Sequence, residues 1–241
     1  MGNELYIRFR ATVNSTTIRQ LLECLDDRFR NACSLVHIMI STPGGSVKDG
    51  IDIYNYISAL PMPVHTYNIG QVDSIGIMIF CAGERRFSVP HARFLLHPIS
   101  MNVLINHRFD EHLLNEHLNS LRVDQSNIAK VVAHTSGKTE KAILEKIHKR
   151  VTLSPEEAKA ENLLHEIKSR IIPEGAQIIS IEDAFNVANS MQSPAQISIT
   201  PTSRSMPRPI SYSMPPISYS IPRPTSHAMP PSEGHTIALA V

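Results

Sequence analysis

The sequence has no tryptophan, three cysteines and ten glycines in 241 residues, and aromatic residues make up only 5% of it. Cys24, Cys33 and Cys81 include no CxxC pair and are odd in number, which argues against a disulfide framework or a structural zinc cluster. A reducing, cytoplasmic setting is the expectation. Charge of one sign is also lacking: 23 Lys and Arg stand against 22 Asp and Glu, a net charge of +1. That balance gives neither nucleic acid nor an anionic membrane an electrostatic hold, so neither is an expected partner. No apolar run approaches the roughly 18 residues that a spanning helix needs, and Met1 to Glu4 is not the basic start of a signal peptide. The histidines lack paired ligand spacing with Cys or acidic residues, so no metal is expected. No cofactor is expected either: Ser136-Gly137-Lys138-Thr139 lacks the upstream glycine of a phosphate-binding loop and follows a helical stretch.

What the chain does have changes character near residue 191. Residues 191–241 hold ten of the 17 prolines and only four charges, Arg204, Arg208, Arg223 and Glu233. Such a stretch cannot sustain a helix or a ladder and reads as a disordered or polyproline-like tail. Residues 1–190 read as one domain. Strand-like runs at 5–13, 35–40, 64–69, 87–89 and 92–97 alternate with helical patterns at 16–29, 47–60, 75–82, 108–134, 139–148 and 154–162. Strands alternating with helices predict an α/β domain with a mostly parallel sheet and flanking helices.

Three places in this domain can carry chemistry. Gly70-Gln71-Val72-Asp73-Ser74-Ile75-Gly76 predicts a tight turn between a strand and an apolar helix. A serine there can stand exposed at a helix start, with the Ile75 amide and the helix dipole directed at a developing oxyanion. The plainer role for Ser74 is a helix N-cap. His97 ends an apolar strand 23 residues later and can supply the base that a serine hydroxyl requires. His91, His107, His112, His117 and His134 read as surface or helix-face residues. Thr42-Pro43-Gly44-Gly45 closes another strand, where Gly45 is free to turn a second amide toward a bound carbonyl, or serves only as a strand-to-helix turn.

Taken in order and spacing, these three pieces resemble the Clp protease proteolytic subunit (ClpP) family of serine peptidases. The stretch Leu153-Ser154-Pro155-Glu156-Glu157-Ala158, continuing to Leu164, is similar to that family's closing helix, and the resemblance covers roughly residues 4–168. It implies the ClpP/crotonase-like fold, with a protruding handle helix around residues 108–134. It also implies a homo-oligomer of stacked rings that encloses the active sites and takes peptides or unfolded proteins as substrates. By the same resemblance Ser74 is the nucleophile, His97 the general base, and the amides of Gly45 and Ile75 the oxyanion hole.

The chain departs from that pattern in three places. The family's triad carboxylate falls three residues before the leucine matched by Leu153, and that position is Arg150. An arginine cannot accept the imidazole proton, and losing the orienting acid of a serine triad can cost on the order of 10⁴ in rate. A backbone carbonyl, a water or an amide side chain is then left to orient His97. Asp73 stands where the family has a small residue, and reads as a helix cap or ion-pair partner rather than as a substitute acid. The family's N-terminal pore segment has no counterpart before Glu4, which weakens the case for an unfoldase ATPase as partner. Two further readings therefore stand beside the peptidase: a catalytically silent structural subunit, and a crotonase-like acyl-thioester enzyme, in which paired amides hold an oxyanion and Ser74 and His97 are idle.

Overall fold

Apolar strands alternating with amphipathic helices fold into a single eight-stranded sheet with its main core against the helices. The structure is a computed structural model that describes residues 3–30, 33–101, 108 and 110–183. The tail at 191–241 lies outside the described residues, as does His107. The elements are β1 (Glu4–Arg10), α1 (Ser15–Arg30), β2 (Leu35–Thr42), α2 (Val47–Ser58), β3 (Val64–Asp73), α3 (Gly76–Cys81), β4 (Arg85–Ser88), β5 (Arg93–Leu95), α4 (Glu111–Ser136), α5 (Glu140–His148), β6 (Thr152–Leu153), α6 (Pro155–Ala160), β7 (Glu166–Ile167) and β8 (Ile178–Glu182).

The strand order is β6-β5-β3-β2-β1-β8, with β4 also on β3 and β7 on β4. Every pairing is parallel except β5 with β6. Period-two alternation divides the sheet into two faces. Ile7, Phe9, Ile38, Ile40, Val72 and Phe94 point into the main core, where they join Leu21, Leu25, Ile53, Ile77, Phe80 and Val132 from the helices. Tyr6, Met39, Tyr67 and Phe87 form a second, smaller cluster.

Local chemistry sets the helix ends. Ser46, Asp110, Thr139 and Ser154 each cap a helix N-terminus with a side-chain oxygen, a contact worth about 1 kcal/mol each. At Ser154 the Glu157 side chain returns the bond, completing a capping box with Pro155 inside the first turn. Gly137, at φ 68°, closes α4 in the left-handed conformation that glycine adopts most easily.

Three features differ from the sequence reading. The turn predicted at Gly70 does not begin there. β3 runs on to Asp73 because it changes partner: His65–Asn68 pair with β4, and Gln71–Asp73 pair with β5. The new ladder supplies backbone hydrogen bonds past the glycine, and these outweigh its weak strand preference. The strand expected to reach His97 shortens to Arg93–Leu95, after which Leu96 N–H donates to Val151 O at 2.9 Å. Three strands, β6, β7 and β8, are two to five residues long and give periodicity too few positions to register.

Candidate functional site

Parallel strands β2 and β3 end at one edge of the sheet, and their C-terminal loops meet there. Ser74 follows β3 directly. Its N–H donates to Leu95 O at 2.8 Å, the last rung between β3 and β5, and the chain then turns sharply with Ser74 at φ 56°. A non-glycine residue in that left-handed region is uncommon and stores strain, typical of a nucleophile raised at a strand-to-helix elbow. The capping role open to Ser74 in the sequence is not realised. The N-cap of α3 is Ile75, with no side-chain cap bond.

The loop after β2 is pressed against this elbow. A Cβ built on Gly44 (φ 91°) would lie 2.6 Å from Ser74 Cβ and 2.8 Å from Asp73 O. On Gly45 (φ 148°) it would lie 2.1 Å from Val13 O. Only glycine fits at either position, which accounts for the pair in the Thr42–Gly45 turn. Val13 N–H donates to Gly44 O at 2.8 Å and Ser46 N–H donates to Val13 O at 2.7 Å. These two bonds bracket Gly45 and leave its own amide unbonded among the described residues. The Ile75 amide is likewise unbonded among the described residues.

His97 is half-buried just past β5. Its Nδ1 lies 2.9 Å from Pro98 O. A carbonyl can only accept, so Nδ1 carries the proton of the neutral ring and Nε2 keeps the basic lone pair. Ser74, His97, Gly45 and Ile75 all line one cleft of roughly 240 Å³. No hydrogen bond joins Ser74 to His97 in this structure, and such bonds commonly tighten only around a bound substrate. The remaining wall is mostly apolar, with Val47, Ile77, Leu96, Ile99, Ile128 and Ile147, plus the amide of Gln125 from α4. Of the orienting groups open to His97 in the sequence, a backbone carbonyl is the one seen, that of Pro98, while Gln125, a polar residue on a polar helix, was not legible beforehand.

The charged neighbours have separate places. β5 and β6 pair antiparallel, Phe94 with Leu153 and Leu95 with Thr152, and Leu96 N–H donates to Val151 O. Carrying that register on sets Arg150 across from His97. Arg150 is exposed, in the left-handed region at φ 55°, and makes no ion pair among the described residues. Asp73 is an ion-pair partner: its Oδ2 accepts from Arg93 Nη2 at 2.7 Å, while its buried Oδ1 has no hydrogen-bond partner. Burial pushes the Asp73 carboxyl above its ordinary value, against the opposing pull of Arg93 and a smaller one from His97. Among the described residues no group of three His, Cys, Asp or Glu could hold a metal ion, and no helix is long and apolar enough to cross a membrane.

Known proteins resemble this chain in sequence over most of its described residues. The sequence profile of the Clp protease family matches residues 5–170. An ATP-dependent Clp protease proteolytic subunit 2 of Chlamydia trachomatis is 31% identical over 157 residues, 64% of this chain and 74% of that protein. The protein of the same name from Chlamydia muridarum is also 31% identical over 157 residues, with the same shares covered. One from Thermobifida fusca is 39% identical over 79 residues, 32% of this chain and 37% of its own. Among solved structures, a point mutant of ClpP1 from Listeria monocytogenes superposes with a TM-score of 0.59 at 22% identity, covering 70% of this chain and 91% of that one, a likeness of fold. The chain belongs to the Clp protease family.

Proposed function

We propose that this chain is a serine endopeptidase subunit in which Ser74 and His97 act as a nucleophile and base pair. Family membership supports a protease-type subunit. The observation that carries the finer reading is the single cleft lined by a strained serine, a histidine with its basic nitrogen free, and two unbonded amides. Ser74 Oγ attacks the peptide carbonyl while His97 Nε2 takes its proton. The Gly45 and Ile75 amides hold the oxyanion that forms, a contribution of about 10²–10³ in rate per donor. The imidazolium then protonates the leaving amine, and the peptide bond breaks to leave an acyl ester on Ser74. Water, deprotonated by His97, attacks that ester, releases the acid and restores the hydroxyl. The Pro98 carbonyl takes over the orienting task usually given to a carboxylate. It fixes the tautomer without supplying a full negative charge.

Peptides and unfolded proteins are the substrates, and the apolar cleft wall takes their side chains. Leu114 and Leu118, one turn apart on α4 at 49% and 47% exposure, with Val123 at 58%, leave apolar surface that self-association into rings covers. An unfoldase ATPase is a weaker inference, resting only on the ATP-dependent names of the relatives. Arg150 favours a second reading, a silent structural subunit, because it occupies the place of the family's acid beside His97. A fluorophosphonate probe separates the two. The assembled chain is expected to label at Ser74 and to hydrolyse short fluorogenic peptides, with both signals gone in Ser74→Ala at unchanged assembly size. Absence of labelling in an assembled wild type leaves the structural reading.

A further inference from the structure

The sheet continues past the region that matches the family. β8 adds to the free side of β1 in parallel register, Tyr6 with Ile178 through Arg10 with Glu182, beyond the matched residues 5–170. Arg8 and Glu182 pair across this edge at 3.1 Å. The next residue, Asp183, reaches out of the ladder. Both of its carboxylate oxygens accept from Thr12 N–H at 3.1 Å, and Oδ2 also accepts from Thr12 Oγ1 at 3.1 Å. On the other side of Thr12, its carbonyl accepts from Thr17 Oγ1 at 2.6 Å and from Asn14 Nδ2 at 3.3 Å.

Thr12 is two residues past the end of β1, where no strand neighbour holds its N–H. It is also part of the wall that shapes the oxyanion loop. A Cβ on Gly45 would lie 3.0 Å from Thr12 Cγ2, and the next residue, Val13, makes the two backbone bonds that bracket Gly45. A continuous series of bonds thus runs from Asp183 through Thr12 and Val13 to Gly44 O and Ser46 N–H, on either side of Gly45.

We infer that Asp183 is a positioning residue for the oxyanion hole, holding the Thr12–Val13 segment so that Gly45 keeps its amide directed into the Ser74 cleft. The inference rests on the peptidase reading for its catalytic consequence and on geometry alone for its structural one. An acceptor 171 residues away in sequence thereby fixes an element of the site. An oxyanion donor acts through preorganisation, so loosening its support lowers the chemical step more than substrate binding.

The test uses the full chain with Asp183→Ala, Asp183→Asn and Thr12→Val. Amide hydrogen exchange at Val13 and Ser46 is expected to rise about tenfold in Asp183→Ala, while exchange in β2 and β3 keeps its wild-type rate. Asp183→Asn retains an acceptor for Thr12 N–H and is expected to stay within about twofold of wild type. In turnover, kcat is expected to fall about tenfold in Asp183→Ala with KM within about twofold, a fraction of what one whole donor supplies. If Asp183→Ala does not fold, Thr12→Val, which removes only the hydroxyl bond, is expected to show the same two changes at about two- to threefold. Unchanged exchange at Val13 and Ser46, or an equal rise throughout the sheet, overturns the inference. So does a local rise with unchanged kcat. Should wild type neither label nor turn over, the peptidase reading falls, while local exchange still decides whether Asp183 holds the loop.

Discussion

Two histidines of this sheet, on strands separated by β3, have opposite fates. His37, on β2, is 7% exposed and stacked on Tyr6 at 4.2 Å between ring centroids. Its Nδ1 lies 2.9 Å from the Tyr67 hydroxyl, and its Nε2 lies 3.3 Å from Glu4 Oε2 in a geometry that makes no hydrogen bond. Burial holds its pKa below the ordinary value despite the nearby Glu4 carboxylate. His97, just past β5, commits one nitrogen to Pro98 O and leaves the other free in a cleft with Ser74. Both rings are anchored. Among the described residues each leaves its Nε2 without a hydrogen bond, so what separates a structural imidazole from a candidate base is where that nitrogen lies: buried beside Glu4 for His37, at the Ser74 cleft for His97.

Substitution can break that contrast, and the largest effect falls on His97. His97→Gln keeps a polar side chain but removes the proton acceptor, and a general base typically contributes 10²–10⁴ in rate. Peptide turnover is expected to fall by about that factor in His97→Gln and to stay within about twofold in His37→Gln, both measured on assembled protein. Equal losses in the two variants would erase the distinction drawn here.

A smaller effect is expected at Arg150. Arg150→Asp places a carboxylate across from His97 at a backbone φ of 55°, which Asp tolerates better than Arg. Neutralising the cation and adding an acid both favour the imidazolium, so kcat is expected to rise about tenfold. The gain stays far below the roughly 10⁴ that a triad acid can supply, because Nδ1 is already held by Pro98 O. No gain would mean that the carbonyl alone suffices.

How legible the site was depended on how local its signals are. Ser74, His97, Gly45 and Ile75 stand in short motifs at strand ends, so their types and spacing were visible, and the structure lines one cleft with them. The Arg150 position could be counted because β6 follows α5 at once and pairs directly with β5. Asp183 was not legible: it makes its bonds to Thr12 across 171 residues, and Ile178–Glu182 becomes a strand only because β1 offers a free edge. The reach of β3 past Gly70 was hidden for the same reason, since a change of partner leaves no mark on local sequence.

The smallest expected effect is on stability, and its pH dependence follows from burial of His37. Its folded-state pKa lies below the ordinary 6.5, as do those of His65 and His165, each lowered chiefly by burial. As pH falls through 6.5 the unfolded chain therefore takes up protons that the folded chain refuses. Stability contributed by these rings is full above that pH and is lost toward the lower folded pKa values. His37→Phe keeps a ring to stack on Tyr6 but leaves the Tyr67 hydroxyl without its partner, at a cost of about 1 kcal/mol. At pH 8 the variant is expected to be less stable by about that amount in urea unfolding at fixed protomer concentration. At pH 5.5 the gap is expected to narrow, because only wild type still pays the His37 protonation penalty. A gap that widens on acidification would show that His37 gains a proton in the folded state, with Glu4 as its counter-charge, and would reverse the contrast with His97.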